Sequence, residues 1–169
     1  LTDGESVYYG LKKIDWLTPR AKHFYGRRMT GFYEDGDKLY LVDNNNVEKP
    51  LSEWDIDSPL KHLKLAYASK DYLIIEGRVI KNIADKNSME FIGSTIRLVR
   101  PCDDAGTPPH KIDFFYFFRD KDKVYYYYTG LKQMKTIDGL NPGDYITDNY
   151  KHLKALEAYT NEEPIEDTK

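Results

Sequence analysis

Short runs of apolar and aromatic residues recur along this chain, and some of them alternate with polar residues at a period of two, which is typical of half-buried β-strands. Residues 95–99 show this alternation, residues 38–42 form a strand by residue type, and turn signals made of Gly, Asn and Asp separate the runs. Residues 72–75 (YLII) are apolar throughout, which indicates a strand buried on both faces. The pattern therefore predicts a mainly β fold built from antiparallel hairpins.

Several hairpins are predicted from their turn residues. Residues 5–9 and 11–16 flank Gly10, and the aromatic runs 112–118 and 124–128 flank a charged turn. Tyr125 to Tyr128 should alternate between faces, with two rings packed inward and two exposed. The alternative for these tyrosines is cross-strand pairing with the aromatic residues of the preceding strand.

Other turns are predicted from Asp, Asn and Pro. The acidic stretch 34–37 (EDGD) is a turn signal. In residues 43–46 (DNNN), Asn and Asp tolerate a left-handed backbone and would replace the glycine found in other turns. Residues 57–59 (DSP) predict a helical turn capped by Asp57 or Ser58.

One spacing of residues occurs twice. A glycine is followed after eight residues by Asp or Thr, then by Phe six residues later, then by another Gly. The two copies are Gly77, Asp85, Phe91, Gly93 and Gly10, Thr18, Phe24, Gly26. We expect each Phe to anchor its unit in the core and Asp85 to cap a turn. The chain is therefore interpreted as repeats of one small β-unit.

The C-terminal region has a different period. Leu153, Leu156 and Tyr159 follow helical spacing after Asp148, a predicted N-cap. We expect a helix over about 148–160, as part of a single β-repeat domain over 1–160. Residues 161–169 are predicted to be a flexible acidic tail.

Three tyrosine-containing strand sequences resemble the Asp-Lys-Asn-Tyr-Tyr (DKNYY) repeat family of bacterial proteins. They are residues 37–40 (DKLY), 70–72 (KDY) and 122–126 (DKVYY), and the resemblance covers most of 5–147. It implies a secreted or envelope-facing β-protein, periplasmic or envelope-associated, with the cytoplasm as the alternative. Members occur beside type VI or polymorphic toxins as immunity proteins. The family supplies no catalytic residues.

Composition excludes some classes of function. The formal net charge of -3 argues against a general nucleic-acid binder, which needs a basic surface. No run of 18 apolar residues predicts a transmembrane segment. The four histidines are isolated in sequence, and the single Cys102 lies beside two aspartates that disfavour a thiolate. No catalytic or nucleotide-binding motif is present, so we expect no enzyme activity, cofactor or metal.

The leading hypothesis is a non-enzymatic protein-binding domain, an immunity protein that occludes the active site of a cognate toxin or effector. A loop of about a dozen residues, 100–111, is long enough to be functional. The alternatives are a carbohydrate- or small-ligand-binding β-domain, with or without hydrolase activity, and a structural envelope protein. The candidate contacts are Asp103, Asp104 and His110 in that loop, and then Glu34, Asp35 and Asp37 in the acidic turn.

Overall fold

The computed structural model describes residues 3–24, 30–81, 86–99, 111–146 and 149–160. It is mainly β, with four antiparallel sheets and one C-terminal α-helix, which confirms the predicted fold class. The chain divides into two compact units, Leu1–Lys86 and Asn87–Lys169. The single domain expected over 1–160 stays a prediction.

The first unit contains three sheets, and in each of them consecutive strands are neighbours. A two-stranded sheet comes first and is followed by two four-stranded meanders. The two-stranded sheet is β1 (Val7–Tyr9) and β2 (Lys12–Ile14). The first meander is β3 (Lys22–Phe24), β4 (Thr30–Asp35), β5 (Lys38–Asp43) and β6 (Ser52–Asp55). The second is β7 (Lys61–Leu63), β8 (Ala66–Ala68), β9 (Tyr72–Ile75) and β10 (Arg78–Lys81).

The second unit contains one four-stranded meander and the helical segments. Its strands are β11 (Glu90–Val99), β12 (Lys111–Arg119), β13 (Val124–Tyr128) and β14 (Gln133–Ile137), and β11 and β14 form its edges. The α-helix α1 (Tyr150–Glu157) lies between two 3-10 helices, Pro142–Asp144 and Ala158–Thr160.

The repeat seen in the sequence corresponds to a repeat of structure. Gly10 and Gly77 each lie in a hairpin turn with positive φ, +60° and +71°, a backbone conformation that glycine adopts readily. Phe24 and Phe91 each lie on the first strand of the following four-stranded sheet. Phe91 is buried as expected, whereas Phe24 is half-buried and packs against the ring of Tyr67 at 4.6 Å.

Apolar side chains fill the space between consecutive sheets of the first unit. Val7, Ile14, Tyr33 and Val42 form one cluster between the two-stranded sheet and the first meander. A second cluster, containing Phe32, Leu39, Ile56 and Ile74, joins the two meanders. Strand β9 is buried on both faces, which confirms the prediction made from its continuous apolar run. Each sheet of this unit therefore contributes a face to a core.

In the second unit, α1 covers one face of the sheet. Leu156 of the helix is fully buried against a cluster that includes Phe115, Phe117, Tyr126 and Tyr128. Gly93 makes room for the helix, because a Cβ atom at this position would lie 3.1 Å from Leu153 Cδ1. Close packing of the helix thus depends on a small residue in β11.

The tyrosines of β13 do not alternate between core and solvent. All four residues from Tyr125 to Tyr128 are buried, so the prediction that two of these rings are exposed is wrong. The physical reason is that β13 is a central strand, paired with β12 and β14, and both of its faces are covered. The alternative of cross-strand pairing is confirmed, since Phe115 lies opposite Tyr128 with stacked rings 4.6 Å apart.

The turn at residues 43–46 contains no left-handed residue, contrary to expectation. Lys64, Glu76 and Lys132 are the described non-glycine residues with positive φ. The Asp43 carboxylate instead accepts a hydrogen bond from the Asn45 N–H at 2.8 Å, and the Asn46 N–H donates to the Asp43 carbonyl at 3.0 Å. A side-chain hydrogen bond therefore supports this turn.

Two predicted helix starts also differ from the structure. Residues 57–59 form a bend with a cis Ser58–Pro59 peptide bond, and the Glu34 carboxylate accepts hydrogen bonds from the Ser58 hydroxyl and the Leu60 N–H. The N-cap of α1 is Asn149, whose side chain accepts from the Lys151 and His152 N–H groups. Asp148, the predicted cap, lies outside the described residues, as does Asp85.

Candidate partner-binding surface

The candidate contacts Asp103, Asp104 and His110 belong to the segment that joins β11 to β12. They lie outside the described residues. The structure describes the strands on either side of the segment, up to Val99 and from Lys111. The structure therefore describes the surface of the two strands that flank this candidate site.

Glu34 does not lie in an exposed turn, so this part of the acidic-turn prediction is wrong. It is a residue of β4 with 4% of its surface exposed. Its carboxylate accepts hydrogen bonds from the Ser58 hydroxyl at 2.5 Å and the Leu60 N–H at 3.2 Å. A buried carboxylate needs such donors to offset the loss of hydration, and here they come from distant parts of the sequence. Glu34 therefore contributes to the fold and not to the surface.

Asp35 and Asp37 lie at the end of the β4–β5 hairpin, on either side of Gly36. Asp35 is half-buried and accepts hydrogen bonds from the Thr18 N–H at 2.7 Å and the Thr18 hydroxyl at 2.5 Å. Together with Thr18, Arg20 and Gly36 it lines a cleft of about 610 Å³. Asp37 is exposed. Of the three acidic candidates in this turn, Asp37 is the one that faces solvent.

An exposed apolar cluster lies on β11 and β12, and we call Ile96, Ile112 and Phe114 the outer patch. Their exposed fractions are 55%, 50% and 37%. Ile96 lies directly opposite Phe114 in the strand register, and Ile112 precedes Phe114 by two residues on the same face. The Phe114 ring also stacks on Tyr116 at 6.1 Å. The outer patch is therefore one continuous surface.

Arg97 shows which face of the sheet carries the outer patch. Its side chain lies on the opposite face of the sheet, where it donates a hydrogen bond to the Tyr128 hydroxyl at 2.6 Å. Its guanidinium lies over the rings of Phe115 and Tyr128, 5.2 Å and 5.1 Å from their centroids. Because successive residues of a strand point to opposite faces, an inward Arg97 directs Ile96 outward.

A buried carboxylate fixes this arrangement. Asp113 accepts a hydrogen bond from the Tyr128 hydroxyl at 2.8 Å and lies 3.7 Å from the Arg97 guanidinium. Burial, followed by the hydrogen bond to Asp113, raises the pKa of Tyr128 to about 12, so the phenol keeps its proton at neutral pH. Gly130 leaves room for this ring, since a Cβ atom there would overlap Tyr128. The strand was predictable from the sequence, whereas no local pattern indicated these partners.

A second cavity lies in the first unit, at the end of the sheet where the β7–β8 and β9–β10 turns are neighbours. It has a volume of about 220 Å³, and its lining includes His62, Lys64, Tyr67 and Glu76. The His62 imidazole stacks on the Tyr67 ring at 4.9 Å. Lys64 and Glu76 have positive φ, +55° and +48°. The cavity thus combines aromatic surface with one cationic and one anionic side chain.

No group of three or more His, Cys, Asp or Glu side chains in the described part of the chain is arranged to hold a metal ion. None of the described helices has the length and apolar character needed to cross a membrane.

Comparison of the chain with family models, curated proteins and solved structures finds no match. The DKNYY resemblance therefore stays a prediction.

Proposed function

We propose that the protein is a non-enzymatic protein-binding domain whose partner is a secreted bacterial toxin or effector of the type VI or polymorphic class. It would neutralise this partner by covering its active site. The outer patch is the observation that carries the proposal, and the resemblance to DKNYY-repeat proteins supplies the class of partner.

The outer patch has the properties of an interaction surface. Exposed apolar residues that occur singly are normal, whereas contiguous ones mark binding sites. Here an aromatic ring and two isoleucines are contiguous on a rigid sheet. Aromatic anchors of this kind contribute a large part of the binding energy at protein interfaces. A partner bound over the three side chains would remove apolar surface from water. Little conformational entropy would be lost, because the strands are already ordered in the sheet.

The position of the outer patch also favours occlusion of a partner's active site. It lies on the two strands that the segment with Asp103, Asp104 and His110 connects. Acidic residues in the connecting segment, together with an apolar anchor on the strands, suit a partner with a basic substrate cleft, as in enzymes that act on nucleic acid or phospholipid. We place the complex in the periplasm or envelope, with the cytoplasm as the alternative.

Affinity capture from the native cells, followed by reconstitution, tests the proposal. The tagged protein should retain one stoichiometric partner through a high-salt wash, and the purified protein should inhibit that partner at equimolar concentration. Phe114→Asp should abolish the inhibition. Leu51→Asp is the matched control, because Leu51 is an exposed apolar residue of the first unit, 57% accessible, and its variant should inhibit normally. Absence of any stoichiometric partner would contradict the proposal.

The cavity at His62 favours a second candidate, a carbohydrate- or small-ligand-binding domain with or without hydrolase activity. Aromatic side chains bind the apolar faces of sugar rings, and the Lys64 and Glu76 side chains supply a hydrogen-bond donor and an acceptor. The volume of about 220 Å³ is below the range typical of drug-sized ligands, which limits the ligand to about one ring. A glycan array with the wild-type protein and the His62→Ala variant tests this candidate, which fails if no glycan binds.

A further inference from the structure

The edge of β11 differs from every other sheet edge in the described residues. The remaining edge strands are only three to five residues long, which limits the length of any pairing at those edges. Most of them carry charged side chains, which are a common protection against the pairing of exposed edges. These side chains are Lys12 and Lys13 in β2, Lys22 in β3, Glu53 and Asp55 in β6, Lys61 in β7, Arg78 and Lys81 in β10, and Lys135 in β14.

Strand β11 has ten residues, and its pairing with β12 is regular from Gly93 to Val99. A strand of seven residues presents an edge about 24 Å long. This stretch contains no proline, and Arg97 is its single charged residue. The Arg97 side chain binds Tyr128 on the helix-covered face, so it does not guard the edge. The register shift between Phe91 and Gly93 protects only the beginning of the strand.

The two faces of the sheet beside this edge are unlike each other. On one face, Leu153 of α1 packs against Gly93, and the Arg97 guanidinium lies 3.4 Å from the Thr160 carbonyl. On the other face, Ile96 and Phe114 of the outer patch are exposed. The side chains of a strand added to this edge would therefore meet exposed apolar residues only on the face that carries the outer patch.

We infer that the partner binds by adding an extended segment of its own chain to the edge of β11. The segment has apolar side chains at alternate positions, on the face that meets Ile96. Backbone hydrogen bonds provide the pairing, and contacts with the outer patch select the side chains, as in other cases of strand addition. The identity of the partner rests on the proposed function, whereas the mode of binding rests on the geometry of β11.

A peptide experiment tests the mode of binding without the partner. The probe is an acetylated and amidated octapeptide, Lys-Thr-Val-Thr-Val-Thr-Val-Lys, added to the ¹⁵N-labelled protein at about millimolar concentration. We expect it to shift the amide resonances of residues 93–99 and to slow hydrogen exchange at the alternate residues whose N–H groups point away from β12. The same peptide with every backbone nitrogen methylated is the control, because it cannot donate to a strand. Shifts from both peptides, or from neither, would overturn the inference.

A pair of isoleucine variants tests the contribution of the outer patch. Ile96→Lys places a charge beside the edge and should weaken peptide binding about tenfold or more. Ile146→Lys is the matched control, since Ile146 is a similarly exposed isoleucine of the second unit, 57% against 55%, and its variant should bind the peptide normally. Thermal melts of both variants verify folding.

Two further outcomes separate this inference from the proposed function. A captured partner that binds the Ile96→Lys variant as tightly as the wild-type protein would overturn strand addition and leave the proposed function standing. Self-association that is abolished by Ile96→Lys, measured by sedimentation, would show that the edge pairs with a second copy of the chain. That result would also overturn the inference.

Discussion

Asp57 connects distant positions of the first unit through its carboxylate. One oxygen accepts hydrogen bonds from the Ser69 hydroxyl at 2.6 Å and from the Lys70 N–H. The other pairs with the Lys86 ammonium at 2.9 Å, which also donates to the carbonyls of Asp57 and Pro59. Burial acts to raise the pKa of Asp57, but the donors from Ser69, Lys86 and Lys70 outweigh it and lower the pKa from 3.8 to about 2.

The lowered pKa of Asp57 predicts a pH-dependent contribution to stability. Because the folded pKa lies below the unfolded one, the carboxylate stabilises the fold above about pH 4, and this contribution disappears as the pH falls through about 2. The side chain is 41% exposed, so solvent screening limits the contribution to about 1 kcal/mol. In urea titrations at several pH values, Asp57→Asn should lower the free energy of unfolding by that amount at pH 7.

Asp55 provides the control for this prediction. It pairs with Lys38 at 2.6 Å, yet its side chain is 86% exposed. Asp55→Asn should therefore change the free energy of unfolding by less than about 0.5 kcal/mol at any pH. The explanation for Asp57 is wrong if its variant and the wild-type protein still differ fully at pH 2.

At the scale of elements, the N-terminus of α1 depends on one capping residue. The Asn149 side chain accepts hydrogen bonds from the N–H groups of Lys151 at 3.0 Å and His152 at 3.4 Å. Asn149→Ala should lower the free energy of unfolding by about 1 kcal/mol, measured by urea denaturation. Asn149→Ser keeps an acceptor and should be close to the wild-type protein. Equal losses in the two variants would show that this side chain does not cap the helix.

The strands were easier to predict from the sequence than the direction of their side chains. The hairpin of β12 and β13 was predictable because two aromatic runs flank a charged turn, which is a local signal. The burial of Tyr127 and the exposure of Ile96 were not, because each depends on what covers a face of the sheet. Asn149 and Asp148 are both good caps by residue type, and the geometry of the chain decides between such neighbours.

At the scale of the whole molecule, composition and the repeat predicted the β architecture, while the candidate site followed from tertiary contacts. Glu34 shows the reason clearly. Its sequence neighbours are acidic and include a glycine, as in an exposed turn, but its hydrogen-bond donors are Ser58 and Leu60. The outer patch was missed for a related cause, since Arg97 is directed inward by Asp113 and Tyr128 in other strands. Contacts between residues distant in sequence leave no local pattern.

The acidic candidate residues lead to a prediction about the rate at which the protein associates with the captured partner. Replacing Asp103 and Asp104 together by Lys should slow association about tenfold at low salt, because charges at the rim of an interface act mainly on the association rate. Asp37→Lys should have a smaller effect. Asp35 is unsuitable for this test, since its carboxylate binds Thr18. Surface plasmon resonance at several salt concentrations measures these rates, and the differences should shrink as salt screens the charges.

A second double variant separates local from overall electrostatics. Asp15→Lys with Glu48→Lys changes the net charge of the protein by the same amount, and both residues are exposed in the first unit. If Asp103 and Asp104 contact the partner, this control should slow association far less than their reversal. Equal slowing by the two double variants would mean that the partner responds to the net charge of -3. No change in either would remove the acidic segment from the binding surface and leave the outer patch and Asp37 as the remaining candidates.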